Sequence, residues 1–354
     1  MSIQPSELTS HRTLITGGAG FLGIHVTERF TAMGVALRLL DVVERPQWVV
    51  ERGIEYVQGD VRDPVAVRAA LAGVGVVVHA AFASPRQSSE TIRSVNVEGT
   101  RTICREASAR GARRLILISS TIVHRPLQAH PILRTSPVSR LNLYRTTRAK
   151  AEGIVTAFGG RSLSTAIVRP KTFIGPLRVG AFAVIFDLVR WGRPVPVLGT
   201  GRNRYQLLDV RDLAEGICLL RSSSAEGIFS LGAREFGTVN GDLQALLDHA
   251  RTGAHLRHIA SRWARPALRI LELVGAVPLS EWHQLSARGE DSIVDASRAE
   301  RELVWRPRRS NAQALRDAYD WYVSSVHTMG QAARTQPVPL AHRALQRLTW
   351  IFPR

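Results

Sequence analysis

The sequence predicts an α/β chain built on a doubly wound, mainly parallel sheet, with a smaller part toward the carboxy terminus. Three observations predict it. Short β-rich runs alternate with helical stretches through the first 120 residues. The runs are near-continuously apolar, as strands covered on both faces must be. A glycine-spaced turn joins the first run to the first helical stretch, an arrangement typical of such sheets.

The elements follow in order. Residues 12–16 (RTLIT) read as the first strand. The stretch 21–34 reads as a helix because its apolar residues recur near every 3.6 positions. Residues 35–41 and 54–60 supply the second and third strands. A helix over 63–73 has Pro64 in its first turn and Gly73 at its end, the order that starts and stops a helix. Residues 74–81 give the fourth strand, 88–111 a long helix and 112–120 the fifth strand. Beyond about 170 the alternation loosens: 181–192 and 211–222 read as helical, 206–210 and 227–231 as strand-like. A Trp- and Arg-rich helical stretch is read within 255–290, a last regular helix over 310–327 and a linker over 331–339. Residues 341–352 put Leu345, Leu348, Ile351 and Phe352 at helical spacing. That segment suits a weak membrane-surface contact, or docking on its own domain or a partner. The chain thus divides into a sheet domain over 1–175, completed by parts of 200–235, a second lobe over 176–330, and a basic tail over 331–354.

Composition narrows the classes. At 45% hydrophobic the chain buries a real core. Two cysteines, Cys104 and Cys218, are too few for a disulfide framework or a thiolate metal site. They read as buried thiols in a reducing, hence cytoplasmic, compartment. The start, MSIQPSELTSHR, lacks the apolar core of a signal peptide, and no run of eighteen apolar residues spans a bilayer. The net charge of +18 rests on arginine, Lys150 and Lys171 being the only lysines. Residues 301–354 hold nine arginines against three acids. Elsewhere the basic residues are scattered and not interleaved with aromatics, which argues against a nucleic-acid platform. His79, His124 and His130 stand singly, without metal-ligand spacing, so no metal is expected. Ser120 lacks the G-x-S-x-G elbow of a hydrolase nucleophile.

LITGGAGFLG (14–23) carries the strongest signal. Gly17, Gly20 and Gly23 follow a strand and open a helix, the setting of a dinucleotide site. Gly17 permits the tight turn, Gly20 the approach of a pyrophosphate, and Gly23 close helix–strand packing. The anion then sits on free N–H groups at the positive helix end. Asp41 ends the next strand and can accept both adenosine ribose hydroxyls, which favours NAD over NADP; Arg45 stands close in sequence. Asp60 could accept from the adenine amino group, or cap the helix that begins near Asp63.

With these residues in place, the chain resembles the extended short-chain dehydrogenases/reductases of the NAD-dependent epimerase/dehydratase type, with relatives among hydroxysteroid dehydrogenases. The likeness runs from about 12 to 325 through TGGAGFLG (16–23), GDVRDP (59–64), HAA (79–81), NVEGT (96–100), ISSTIV (118–123), YRTTRAKAE (144–152), VRPKTFIGP (168–176) and DVRDLAEG (209–216). It implies a Rossmann-like sheet with a smaller carboxy-terminal substrate-binding domain, bound NAD and a homodimer. It also implies that Tyr144 is the acid/base and Ser120 its partner on the substrate oxygen, with Thr121 a nearby substitute. Phe21, Leu22, Val61, Ala80, Ala81 and Asn96 would lie along the cofactor, and Lys171 would flank the nicotinamide end.

The chemistry fits these residue types. Hydride transfer to or from a carbinol carbon needs a proton moved at its oxygen. A free tyrosine has a pKa of about 10, too high for a base at neutral pH, and a fixed cation lowers it. The family places lysine four residues after the tyrosine; this chain has Arg148 there. One helical turn puts Arg148 on the face of Tyr144, whereas Lys150, six residues on, points elsewhere. Arg148 keeps the charge but presents a larger planar fork. Sugar-nucleotide members usually place Asn at the position of Thr172 and a diphosphate-gripping arginine at the position of Tyr205. Here Arg202 and Arg204 flank that position, and with Ser84 and Thr172 they are the substrate-side candidates. The resemblance makes a sugar nucleotide the leading substrate. A steroid-like or other lipid alcohol is the alternative, supported by the apolar 262–283 stretch, and a non-catalytic nucleotide-binding regulator is a further one.

Overall fold

A computed structural model of the chain describes residues 11–85, 87–124, 131–138, 142–160, 162–178, 181–260 and 289–325. In chain order it runs β1 (Arg12–Thr16), α1 (Phe21–Thr31), β2 (Leu37–Asp41), α2 (Gln47–Glu51), β3 (Glu55–Gln58), α3 (Pro64–Ala70) and β4 (Val74–His79). Then come α4 (Ser89–Arg93), a π-helical turn (Ser94–Gly99), α5 (Thr100–Ala109), β5 (Arg114–Ile118), a 3₁₀ turn (Thr121–Val123), α6 (Leu143–Phe158) and β6 (Ser164–Pro170). The remainder is β7 (Phe173–Ile174), α7 (Ala181–Arg190), β8 (Val195–Leu198), β9 (Leu208–Asp209), α8 (Val210–Arg221), β10 (Gly227–Leu231), α9 (Val239–Ala250), β11 (Leu256–Ile259), α10 (Ser297–Glu302) and α11 (Asn311–Ser325).

Seven strands form one parallel sheet in the order β10-β6-β5-β4-β1-β2-β3. Parity along each strand decides its faces. Ile15, Val78, Ile116, Ile118 and Val168 enter one core with Val26 and Phe30 of α1 and Leu213 and Ile217 of α8. Their neighbours Leu14, Val77, Leu115, Leu117 and Ile167 enter the other, with Ile103 of α5 and Val155 of α6. Both faces are therefore apolar, which is why these strands read as unbroken apolar runs. A third core gathers Phe182 and Phe186 of α7, Leu243 and Leu246 of α9, and Tyr319 and Tyr322 of α11. The small parallel pairs β7·β9 and β8·β11 belong to the carboxy-terminal part.

The chain leaves β1 toward β2 and β3 on one side and returns through β4, β5 and β6 on the other. That switch point lies at the carboxyl ends of β1 and β4, the place where such sheets bind ligands.

Two expectations need correction. Residues 256–259, read within a helical stretch, form β11 and pair in parallel with Val195–Leu198; the rest of that stretch, 261–288, lies outside the described residues, as do the linker and the 341–352 segment. The buried strand β6 is absent from the strands read in the sequence. Cys104 and Cys218 are buried and free, and burial pushes the Cys104 thiol up to about 12. Among the described residues no helix is long and apolar enough to cross a membrane.

Candidate active site

The turn after β1 is built as its glycines require. Gly17 has φ +70°, in the left-handed region, and a Cβ there would lie 3.0 Å from the backbone of Ala80 and Ala81 at the end of β4. A Cβ on Gly23 would press into the carbonyl oxygens of Gly17 and Gly18. A side chain at either position would collide with this backbone, so the glycines let the turn close tightly on α1 and β4, the form of a cradle that offers free N–H groups to a diphosphate at the N-terminus of α1. No side chain caps that helix end.

Asp41 reaches the same turn from the end of β2. Its Oδ2 accepts from the Ala19 N–H at 3.0 Å, so the carboxylate stands beside the cradle. Arg45 is turned away from it: its Nη2 donates to the Ile54 carbonyl at 3.1 Å. Asp60 caps nothing. Asp63 caps α3 instead, its Oδ1 accepting from Val65 N–H at 2.8 Å. The Asp60 carboxylate holds Arg62, whose guanidinium reaches it at 2.6 Å and also donates to Ser94 Oγ at 3.0 Å. Val61 packs against Gly99, where a Cβ would meet its methyl at 2.7 Å.

A hydrogen-bond chain connects this wall to the helix carrying Tyr144. Ala81 N–H donates to Thr16 Oγ1, which donates to His79 Nδ1 at 2.7 Å. Thr100 Oγ1 gives its proton to Asn96 O at 2.8 Å, so it accepts from His79 Nε2 at 3.1 Å. The imidazole therefore carries its proton on Nε2. Burial, with Arg148 adding to it, lowers its pKa to about 3 and keeps it neutral. Asn96, fully buried in the π-helical turn, accepts from Ala83 N–H at 2.8 Å and donates to Thr147 Oγ1 at 3.1 Å. Thr147 Oγ1 in turn donates to the Tyr144 carbonyl at 3.0 Å. Asn96 thus braces the loop that carries Ala80 and Ala81.

Tyr144 lies in the first turn of α6, which Asn142 caps by accepting from Arg145 N–H at 2.9 Å. Arg148, one turn on, donates through Nη2 to the Tyr144 hydroxyl at 2.9 Å and through Nη1 to the Ile118 carbonyl at 2.9 Å. Its guanidinium carbon sits 3.8 Å from the centre of the Phe82 ring, and its Nε is buried without a partner. The fork is thus shared between the tyrosine and the end of β5, two residues before Ser120. Ser120 Oγ accepts from Ile122 N–H at 3.2 Å, which leaves its own proton without an acceptor among the described residues. Thr121 gives its hydroxyl to the Pro170 carbonyl at 3.3 Å, so Ser120 is the better placed of the two.

Arg148→Lys is expected to lower turnover about tenfold, because an ammonium replaces one of two charged hydrogen bonds and loses the ring stack. A steady-state assay comparing the two forms checks this; a faster lysine variant would mark Arg148 as a handicap rather than a fitted replacement.

The substrate-side candidates separate. Lys171 is buried, its Nζ donating to Ser292 Oγ at 2.6 Å and lying 4.4 Å from the Tyr205 ring centre. This ties the ammonium to Ser292, in the carboxy-terminal part. Thr172 Oγ1 and Tyr205 Oη are hydrogen-bonded at 2.7 Å. Arg204 is held bidentately to Asp291 Oδ2 at 3.0 and 2.9 Å. Arg202 is exposed. Ser84 N–H donates to Gln87 Oε1 at 2.8 Å in the loop after β4.

One residue of the cleft escapes the sequence reading. Arg178 lies past Gly175-Pro176, with its guanidinium carbon 5.0 Å from the Phe21 ring centre and 5.6 Å from that of Phe173. Burial lowers its pKa to about 10, with Tyr144 opposing the shift, so it stays charged at neutral pH. A lone arginine after Pro-Leu belongs to no motif quoted above; the G-P pair that ends β7 was the only signal of a chain crossing there.

Comparison with known proteins agrees with this architecture. Residues 13–232 match the model of the NAD dependent epimerase/dehydratase family. An uncharacterized protein of Sinorhizobium fredii is 31% identical over 320 residues, covering 90% of this chain and 80% of the relative. A 4-hydroxy-2-methyl-3-oxo-4-farnesyl-3,4-dihydroquinoline-1-oxide ketoreductase of Stigmatella aurantiaca is 29% identical, covering 86% of this chain and 94% of its own length. The Thermus thermophilus UDP-glucose 4-epimerase, solved in complex with NAD, superposes with a TM-score of 0.71 at 22% identity, covering 89% of this chain and 99% of that one.

Proposed function

The chain belongs to the NAD-dependent epimerase/dehydratase family, and from that premise we propose that it is an NAD(H)-dependent oxidoreductase of a secondary alcohol or the matching ketone, with Tyr144 moving the proton. The observation that carries this reading is the Tyr144–Arg148 contact at 2.9 Å, beside the glycine cradle and Ser120. NAD, when bound, supplies the hydride acceptor or donor. Gly17, Gly20 and Gly23, with the N–H groups of Phe21 and Leu22, hold the diphosphate; Asp41 takes the adenosine ribose; Ala80 and Ala81 line the wall. Ser120 donates to the substrate oxygen. Arg148 favours the phenolate of Tyr144 as the proton leaves it. Residues 1–175 supply the cofactor side and 176–330 most of the substrate side.

For the substrate we favour an apolar, lipid-like alcohol or ketone over a sugar nucleotide. The two positions where the sequence departs from the sugar-nucleotide pattern, Thr172 and Tyr205, satisfy each other's hydroxyls at 2.7 Å. Arg204, next to Tyr205 in sequence, is exposed and pairs with Asp291. The Stigmatella relative is named for reducing the ketone of a farnesylated quinoline oxide, which supports the same choice. A turnover screen of sugar nucleotides against sterol-like and prenylated ketones, followed at the NADH absorbance, tests it; turnover confined to sugar nucleotides would reverse the preference.

Cofactor choice is a separate expected result. The wild-type chain should bind NADH at least about tenfold tighter than NADPH, because a 2′-phosphate would face the Asp41 carboxylate. Asp41→Ala should erase that difference. Titration of both cofactors into both proteins decides it, and NADPH preference in the wild type would defeat the Asp41 argument.

A further inference from the structure

The arginines buried in this chain have visible partners, and the half-buried Arg178 stands apart from them. Arg114 donates to the Leu220 and Ala225 carbonyls and to Ser164 Oγ, each at 2.7 Å. Arg169 pairs with Glu152. Arg221 donates to Thr13 Oγ1 at 2.8 Å and to the His11 carbonyl at 2.9 Å. Arg178 has its Nε sealed from solvent with no hydrogen-bond partner, and among the described residues no carboxylate pairs with it. A guanidinium held partly out of water without a counter-charge among the described residues is costly, so its position suits an anion.

The position is specific. The segment that bears Arg178 is docked on the first turns of α1: Phe173 stacks on Phe21 at 5.7 Å and 7°, and His25 Nε2 donates to the Pro176 carbonyl at 2.9 Å. Leu177 holds φ +70°, a strained left-handed conformation for a branched side chain, and Arg178 follows it directly. The guanidinium thus lies over Phe21, the first residue of α1. The same stretch, between the positive helix end and the tyrosine, is where a dinucleotide seated on the glycine turn carries its diphosphate.

We propose that Arg178 is a cofactor-binding residue, a cationic clamp that closes on the dinucleotide diphosphate from the side opposite the glycine turn. It comes from the segment leading into the carboxy-terminal part, so cofactor binding and the placing of that segment are coupled. This rests on the NAD-dependent reading above, and the test separates the two.

The full chain and its Arg178→Met and Arg178→Lys variants are titrated with NADH, ADP-ribose and adenosine, and the thermal unfolding of each apo protein is recorded. Wild-type binding of NADH examines the reading itself; no binding would sink that reading whatever the variants do. With wild-type binding in hand, Arg178→Met should lose about 10- to 100-fold for NADH and for ADP-ribose alike, with adenosine unchanged. Arg178→Lys should fall between. Apo Arg178→Met should unfold no lower than wild type, because a partly buried charge without a counter-charge among the described residues has been removed. Unchanged NADH and ADP-ribose affinities would overturn the clamp and assign Arg178 to an anionic substrate group, read as a raised KM. A lower apo Tm together with equal losses for all three ligands would make it a structural residue, and likewise overturn the proposal.

Discussion

Replacing Tyr144 by Phe is expected to lower turnover by about 10²- to 10⁴-fold, the range of a general acid–base contribution, while NADH affinity stays within a few-fold of wild type. The substitution removes one oxygen and leaves the ring that flanks Arg148 at 5.2 Å. Arg148 keeps its bond to the Ile118 carbonyl and its stack on Phe82, so the cation stays in place without its tyrosine. A defect confined to kcat therefore reports the proton and not a collapsed site. Steady-state rates and NADH titration of the same preparation make the measurement. Equal turnover in both forms would remove Tyr144 from the chemistry, and absence of turnover in the wild type on every alcohol and ketone tried would favour a nucleotide-binding regulator.

The glycine turn and the tyrosine helix were legible because both are local. Gly17, Gly20 and Gly23 act through backbone they share with α1, and Tyr144 and Arg148 meet by helical repeat alone. What the sequence withheld depends on distant chain segments. Lys171 is adjacent to Thr172, yet its ammonium is fixed by Ser292, 121 residues away. Thr172 and Tyr205 each stand out as departures from a pattern, but their contact across 33 residues appears only once β7 pairs with β9. The π-helical turn at Asn96 is hidden within the stretch 88–111 that reads as one helix, because no residue type marks the extra residue that its wider turn takes in. Arg178 was invisible for the same reason as Lys171: charge in a sequence does not say whether a carboxylate will meet it. The helix-cap reading of Asp60 gave way more simply, since Asp63, three residues on, is the cap.

Glu152→Ala is expected to destabilise the protein by about 3–5 kcal/mol, the largest stability effect at any single position of the site. Glu152 lies two turns beyond Tyr144 on α6 and takes Arg169 of β6 in a fork, Nε to Oε1 at 2.9 Å and Nη2 to Oε2 at 2.6 Å. Both side chains are buried, at 7% and 4% exposure, so neither charge has water to fall back on once its partner is gone. The same guanidinium donates to the Arg134 carbonyl at 2.9 Å and stands 3.1 Å from His124 Nε2; burial, with Arg169 adding to it, lowers the pKa of His124. A neutral imidazole can accept that proton, which a protonated one could not. The pair therefore locks α6 against the strand that ends in Pro170, and through α6 it sets where Tyr144 stands. Removing only the acid leaves Arg169 buried and uncompensated. Removing both, as Glu152→Leu with Arg169→Met, takes away the charge as well as the bond and is expected to recover much of the loss. Denaturant unfolding of Glu152→Leu, Arg169→Met and the double variant measures the coupling. Additive losses, with the double variant the least stable of the three, would show that the ion pair does not lock α6 to the sheet.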